Sequence, residues 1–534
     1  MINSIKILIG LPVLLLIVIG YIPPQPATPP PAAHRKAVLP NIIFIFSDDH
    51  THQAISAYGS KLARTPNIDR IANEGAMLHT NIVTNSICGP SRATLLTGQF
   101  SHVNGYKLNE KVFDVRQSVF PEELQKNGYQ TAWIGKLHLG DLPKGFDYMN
   151  VLPGHGHYYN SLFVNSKKDT VQYPGYVTNV ITKLSLDWLG QRDPAKPFFL
   201  VVGHKATHRE WLPDLPDLGA YDKVTFPLPA TFYDDYKGRL AAQDQDMTID
   251  KTMRLKEDLK VHVDFNSDGP TAQPPIDSRK QGAYQRLTAD QKKIFAAYYD
   301  RISREFDEKK LSGKALVEWK YQRYLKDYLS VANSLDRNIG ELLNYLDKTG
   351  LAKNTVIVYA SDQGFYLGEH GWFDKRFIYE ESLKTPFVIR YPGVIKPHTH
   401  INQLISNIDW APTLLSLTGT AIPGYIQGKS FLPLLTGAKT NWRKEAYYHY
   451  YEFPQPHHVY PHFGIRTEQY TLARFYGPKD FWELYDIKQD PHNLHNLYGA
   501  KGYETITADL KRRLTQEIDK YNDKEARALL ASNP

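Results

Sequence analysis

The chain of 534 residues contains a single cysteine, Cys88. It opens the run Cys88-Gly89-Pro90-Ser91-Arg92-Ala93-Thr94-Leu95-Leu96-Thr97-Gly98. A lone cysteine has no partner for a disulfide, so its thiol serves another chemistry or none. Two pairs of oxygen donors accompany it, Asp48-Asp49 and Asp362-Gln363. Three carboxylates and an amide oxygen, with no second cysteine and no clustered His-x-His, suit a hard cation such as Ca²⁺, with Mg²⁺ as the alternative, better than Zn²⁺. Either pair alone reads as well as a helix cap or a turn. The two taken together point to a metal.

The elements that must hold these groups are legible as continuous apolar runs, the pattern of strands buried on both faces of a parallel sheet. Asn41–Phe46 ends in Ser47-Asp48-Asp49-His50, and Gln130–Gly135 ends in Lys136-Leu137-His138. Pro197–Gly203 leads to His204 and His208, and Thr355–Ala360 ends in Ser361-Asp362-Gln363. A further strand covers Phe387–Arg390. Helices are expected over Pro121–Asn127 and Ala315–Leu346. Strands alternating with helices argue an α/β fold with a mainly parallel sheet, in which ligands bind beyond the carboxyl ends of the strands. Four such ends here carry Asp, Lys or His.

Four segments make up the predicted organisation. Residues 1–22, with Lys6 before an apolar run from Ile7 to Ile22, read as a signal peptide or an N-terminal anchor. No cysteine follows that run, which argues against a lipoprotein. Residues 23–36 are a proline-rich spacer. A catalytic domain covers 37–439, with a charged insertion at about 212–315 read for the most part as a solvated surface insert, with a loop around Asn266–Pro275. Residues 440–534 form a smaller α+β subdomain closed by an amphipathic helix over Thr505–Arg527. The expected location is periplasmic or extracellular. The net charge of +7 fits an anionic substrate, and no Lys/Arg run supports nucleic-acid binding. The 35 tyrosines serve a core first and sugar contacts second.

Cys-x-Pro-Ser-Arg-x-x-x-Leu-Thr-Gly resembles the signature of the type I sulfatases, and the likeness extends from about residue 38 to about 500. The resemblance implies an alkaline-phosphatase-like sheet, and a Cys88 oxidised to formylglycine by a formylglycine-generating enzyme. The hydrated aldehyde would attack the sulfur of a sulfate ester, and its second hydroxyl would then expel sulfate. It further implies a metal held by Asp48, Asp49, Asp362, Gln363 and the residue made from Cys88. Arg92, Lys136, His138, His208 and Lys375 match the family's catalytic positions. Of these, His208 is the first candidate for the general acid and Lys375 the second, with His138 positioning the nucleophile. Gln363 departs from the Asn or His common at its position but still offers a carbonyl oxygen.

Three segments narrow the resemblance: His204–Trp211, Thr231–Tyr236 and Pro454–Thr467. They look like bacterial exo-acting sulfatases close to the N-acetylglucosamine-6-sulfatases, which act on glycosaminoglycans such as heparan sulfate or on mucin. Leu367-Gly368-Glu369-His370-Gly371 is shared with iduronate-2-sulfatases, so uronate 2-O-sulfate is an alternative substrate, as is a galactose sulfate. His457, His458, His462, Asp374, Arg376 and His370 are the candidate sugar contacts; His457, His458 and His462 read equally as packing residues. Competing classes are a phosphate or phosphonate monoester hydrolase of the same superfamily, a Cys-His thiol hydrolase and a non-catalytic glycan-binding protein. The complete cysteine motif weighs against the first, nothing beyond the number of histidines supports the second, and the presence of every expected catalytic residue argues against the third.

Overall fold

The computed structural model describes residues 39–109, 111–266 and 284–532, with Met1, Leu8 and Gly10 besides. The N-terminal apolar run, the proline-rich spacer and most of the predicted loop at 266–275 lie outside the described residues. Among those described, no helix is long and apolar enough to cross a membrane.

The compact unit that starts at Leu39 is built on a ten-stranded sheet. In spatial order it runs Thr399–Ile401, Ala76–Leu78, Phe387–Arg390, Thr355–Ser361, Asn41–Ser47, Phe198–Gly203, Gln130–Lys136, Tyr148–Leu152, Leu162–Asn165 and Thr170–Gln172. The five strands from Thr355–Ser361 to Tyr148–Leu152 are mutually parallel. Phe387–Arg390 joins them antiparallel on one side and Leu162–Asn165 on the other. The central strand shows why its sequence is apolar throughout. Ile43 and Ile45 pack on one face with the long helix Gly313–Lys348, while Ile42, Phe44 and Phe46 pack on the other with Leu95, Leu96 and Trp410. Alternate residues of a strand serve opposite faces, so a strand covered on both sides has no polar phase.

All five expected strands are present. The two expected helices are Phe120–Lys126 and Gly313–Lys348.

The C-terminal region is a four-stranded antiparallel sheet, Glu445–Tyr450, His462–Thr467, Tyr470–Phe475 and Phe481–Asp486. One face packs on helix Glu504–Tyr521 through Phe463, Ile465, Leu472 and Leu484 against Leu510, Leu514 and Ile518. The other packs through Tyr448, Phe475 and Tyr485 against Trp372, Phe377 and Tyr379.

Two expectations need correction. The terminal helix is not continuous over Thr505–Arg527. It stops at Asn522, which takes a left-handed φ of 56°, and a second helix covers Lys524–Ser532. Asp523 lies in the break because its side chain is used inside the fold, accepting from Tyr447 OH at 2.9 Å and His449 Nδ1 at 2.7 Å. The insertion is also less solvated than its composition implies. Phe226, Phe232, Met253, Leu259, Phe265, Phe295 and Tyr299 join the main core, and its charges are paired indoors. Arg209 forks onto Asp258 at 2.6 and 2.7 Å, and buried Lys260 reaches Asp327 at 3.2 Å.

Candidate active site

The site forms where the parallel strands end. Beyond Ser47 the chain turns at Asp49, whose φ of 62° is left-handed, so two consecutive carboxylates address one volume instead of opposite faces. Asp48 and Asp49 are fully buried, as are Asp362 and Gln363 one strand away. The Asp49 amide donates to Asp362 Oδ1 at 3.2 Å, tying the two strand ends together.

Cys88 begins helix Cys88–Thr97. Its Sγ lies 3.2 Å from Asp48 Oδ1 and 3.8 Å from Gln363 Nε2. Burial pushes the thiol well above its ordinary range, with Lys375 opposing and Asp362 and Asp49 adding. A thiol so placed is a poor thiolate nucleophile, which weighs against a Cys-His hydrolase. One turn on, Arg92 is buried with its fork on Asp362 Oδ2 at 3.1 and 2.9 Å, and it donates to Lys136 O at 3.0 Å and Ser47 O at 3.3 Å. This one side chain joins three strand ends.

Each buried carboxylate meets a cation. Asp48 pairs with Lys136 Nζ, Asp362 with Arg92, and Asp49 with Lys375 Nζ at 2.8 Å. Burial, opposed by Lys375 and reinforced by Asp362 and Asp374, pushes the Asp49 carboxyl up to about 6. Against burial, Asp49 holds the Lys375 ammonium above its ordinary range. Lys136 occupies its place because two glycines let strands meet there. A Cβ on Gly135, at φ 98°, would stand 2.0 Å from Gly203 O, and one on Gly203 would stand 2.4 Å from Lys136 O.

The residues fit a divalent cation. Asp48, Cys88 and Asp362 place one ligand atom each within 4.8 Å of one another. Gln363 turns its Nε2 toward Asp49 Oδ1 and Cys88 Sγ, and its Oε1 is buried with no hydrogen-bond partner among the described residues. Rotating that amide by 180° would put its carbonyl oxygen beside the Asp49 carboxylate, a donor set that suits a hard cation.

The remaining predicted residues fall into three groups. His138 and His208 line the site together with His155, which the sequence reading did not single out. His155 lies between them with its ring tilted to both, centroids 4.1 Å from His138 and 4.4 Å from His208, and its Nδ1 is 3.1 Å from Lys136 Nζ. Burial, with His138, Lys136 and His208 beside it, holds its pKa well below the usual value. His208 Nδ1 donates to Arg209 O at 2.5 Å, and its Nε2 stands 3.9 Å from Asp49 Oδ2.

Asp374, Arg376 and His457 form a second group beside Lys375. His457 Nε2 is 3.1 Å from Asp374 Oδ2, and Arg376 Nε is 3.2 Å from Asp374 Oδ1. Arg376 also reaches Glu452. His458 is exposed in the same segment.

His462 stands apart. It is fully buried, its Nε2 accepts from the Ile378 amide at 3.1 Å and its Nδ1 donates to Tyr460 O at 2.8 Å. Both ring nitrogens are spent, and the ring packs among Phe377, Tyr448 and Phe475. It is a packing residue, not a sugar contact.

Two further supports were not anticipated. Asn109 Oδ1 accepts from the Gly89 amide at 2.9 Å, satisfying an otherwise orphaned donor of the first turn. Tyr106 closes over Gly89 so tightly that a Cβ there would stand 2.5 Å from its ring.

Residues 40–420 match the sulfatase family, and residues 368–520 match the C-terminal region of N-sulphoglucosamine sulphohydrolase. The chain belongs to the sulfatase family. It is therefore a sulfuric ester hydrolase. Among its relatives is an N-acetylglucosamine-6-O-sulfatase of Bacteroides thetaiotaomicron, 45% identical over 494 residues that cover 91% of this chain and 87% of that one. An ulvan-active sulfatase of Formosa agariphila is 26% identical over 91% of this chain and 82% of its own. Among solved structures, one in complex with its substrate D-glucosamine-2-N,6-O-disulfate superposes with a TM-score of 0.86 at 43% identity, covering 91% of this chain and 99% of that one. The phosphonate monoester hydrolase of Agrobacterium radiobacter shares the fold, with a TM-score of 0.66 at 19% identity over 90% of this chain and 96% of its own. The sheet is thus of the alkaline-phosphatase-like kind.

Proposed function

We propose that this sulfatase removes 6-O-sulfate from N-acetylglucosamine or glucosamine residues of exported-space glycans, using a formylglycine made from Cys88 and a Ca²⁺ ion. The observation that carries the reading is the placement of Cys88: the first residue of a helix, among the carboxylates of Asp48 and Asp362 and beside the Gln363 amide, within a ring of three cations. The 45% identical N-acetylglucosamine-6-O-sulfatase supports the position of the sulfate.

Asp48, Asp49, Asp362 and Gln363 Oε1 are the residues that would hold the cation. When present, the hydrated aldehyde supplies the attacking oxygen and the cation lowers the cost of charge on it. The chain's own side chains do the rest. Lys136, Lys375 and Arg92 set positive charge on several sides of the volume where a sulfate group would sit, and such preorganised charge favours the transition state over the ground state. His208 is held by its Nδ1 hydrogen bond with Nε2 toward the site, which suits it to deliver a proton to the leaving alcohol; Lys375 is the other candidate. His138, packed against His155, orients the nucleophile. Asp374, Arg376 and His457 offer carboxylate, guanidinium and imidazole to sugar hydroxyls. The N-terminal run directs export.

Mass spectrometry of the tryptic peptide carrying Cys88, from protein made in its own host, tests the nucleophile. Full activity with an unmodified thiol in every molecule would refute it. Turnover is expected to fall on chelation and return with Ca²⁺. A panel of monosaccharide sulfates tests the substrate: inert 6-sulfated N-acetylglucosamine beside active 2-sulfated uronate or galactose sulfate would overturn that part alone.

A further inference from the structure

His370 lies at the turn of the hairpin in which Tyr366 pairs with Asp374 and Leu367 with Phe373. Lys375 is the next residue. The ring is fully buried and the backbone left-handed, with φ 59°. Nδ1 is 2.7 Å from Asp234 Oδ2, and Nε2 is 3.9 Å from Glu381 Oε2. Neither Nε2 nor Glu381 Oε2 has a hydrogen-bond partner among the described residues. Both ring nitrogens thus face carboxylates, from two elements that flank the hairpin.

A neutral imidazole has one donor and one acceptor. If the proton sits on Nδ1, a bare lone pair at Nε2 confronts Glu381. If it sits on Nε2, the same conflict arises at Asp234. Only the imidazolium gives a donor to each side. The surroundings balance that charge: Asp234 also holds Arg239, and Glu381 also accepts from His492 Nδ1 at 2.8 Å. Glu369 stands beside it in the turn, and the rings of Tyr366, Trp372 and Tyr379 close the cage. The backbone is tied as well. His370 N donates to Thr231 Oγ1 at 3.0 Å, and Tyr236 OH donates to His370 O at 2.6 Å.

We propose that His370 is a positioning residue: a buried imidazolium that clamps the hairpin between Asp234 and Glu381, and so fixes where Lys375 stands against Asp49. Against burial, the two carboxylates push its pKa up to about 9. With the folded value raised above the unfolded one near 6.5, the clamp is complete below about 6.5 and is lost as pH rises through about 9. Turnover therefore carries an alkaline limit set by a residue that touches no substrate.

Two measurements on the holoenzyme test this, and only the kinetic one depends on the assigned sulfate ester. Histidine-selective ¹⁵N spectra at pH 7.5 should show one doubly protonated ring that persists to about pH 9 and vanishes in H370Q. In kinetics, H370Q should lower kcat about tenfold, roughly 1.4 kcal/mol in barrier, with KM within about twofold and the alkaline step near pH 9 gone. E381Q and D234N keep the histidine should H370Q fail to fold. Each removes one stabilising carboxylate and should move the alkaline step down by about one pH unit, as one such partner is worth. A neutral ring at pH 7.5, or an alkaline step left in place by E381Q and D234N alike, would overturn the proposal.

Discussion

Replacing Arg92 with methionine removes the guanidinium while keeping a long apolar stem. Arg92 is fully buried and makes two hydrogen bonds to Asp362 Oδ2, one to Lys136 O and one to Ser47 O, with its guanidinium 4.6 Å over the Phe46 ring. Lys136 O keeps a donor, Trp133 Nε1 at 2.9 Å, so that loss is small. The large cost is Asp362, left as a buried carboxylate without its cation. Removing one partner of a buried ion pair costs about 3–5 kcal/mol. For R92M we expect a loss of about 4 kcal/mol, or roughly a thousandfold in the folding equilibrium. R92K keeps the charge but not the fork, and about 2 kcal/mol should go with the missing charged hydrogen bonds. The assay is urea denaturation followed by tryptophan fluorescence, in chelator and again in Ca²⁺, reading the midpoint at constant slope. A cation at Asp362 would supply part of the missing charge, so the R92M penalty should be smaller in Ca²⁺ than in chelator. Stability readouts also leave the result independent of how much Cys88 has been converted. R92M within about 1 kcal/mol of wild type in chelator, well under the expected cost, would refute the view that Arg92 holds the strand ends together through Asp362.

Other substitutions separate positioning from packing. N109A removes the acceptor of the Gly89 amide; a lost cap of about 1 kcal/mol should appear as a roughly fivefold lower kcat at unchanged KM on fully converted enzyme, and an unchanged kcat would argue that the helix start needs no such support. H462L strands the Ile378 amide, so stability should fall by about 1–3 kcal/mol while KM holds; a raised KM at full stability would return His462 to the sugar site. Asp523 is held below the usual carboxylate range, against burial, by His449 and His102. Its contribution is present above about pH 4 and fades as pH falls below, so D523N should lower the thermal midpoint at pH 7 and converge with wild type in acid; a difference that is the same at pH 7 and pH 3 would refute that role.

How much of this was legible in the sequence depended on how each element is buried. The strands at 41–47, 130–136, 198–203 and 355–361 are covered on both faces, so each announces itself as an apolar run, and its last residues announce the site. The strands at 76–78 and 399–401 are three residues long, too short for any period to show. The insertion misled because its charges, Asp258 and Lys260 among them, are buried in pairs with Arg209 and Asp327 from outside it, and composition cannot tell a paired interior charge from a solvated one. The terminal helix kept its apolar spacing through Asn522 and Asp523, and only the demands of Tyr447 and His449 on Asp523 break it.

The site itself divides along the same line. Asp48, Lys136 and Asp362 sit at strand ends, where the chain direction alone brings them together. His155, Asn109 and Tyr106 sit in loops, and nothing in their neighbours' periodicity marks them. Their places follow from tertiary pairing: the parallel register of Gln130–Lys136 with Tyr148–Leu152 carries His155 to the rings of His138 and His208. His457 and His462 make the point most sharply, since they share one short segment. His462 opens a strand and faces inward among aromatic rings; His457 precedes it in a loop and reaches Asp374. Five residues of spacing separate a core side chain from a candidate sugar contact, and only the strand's register tells them apart.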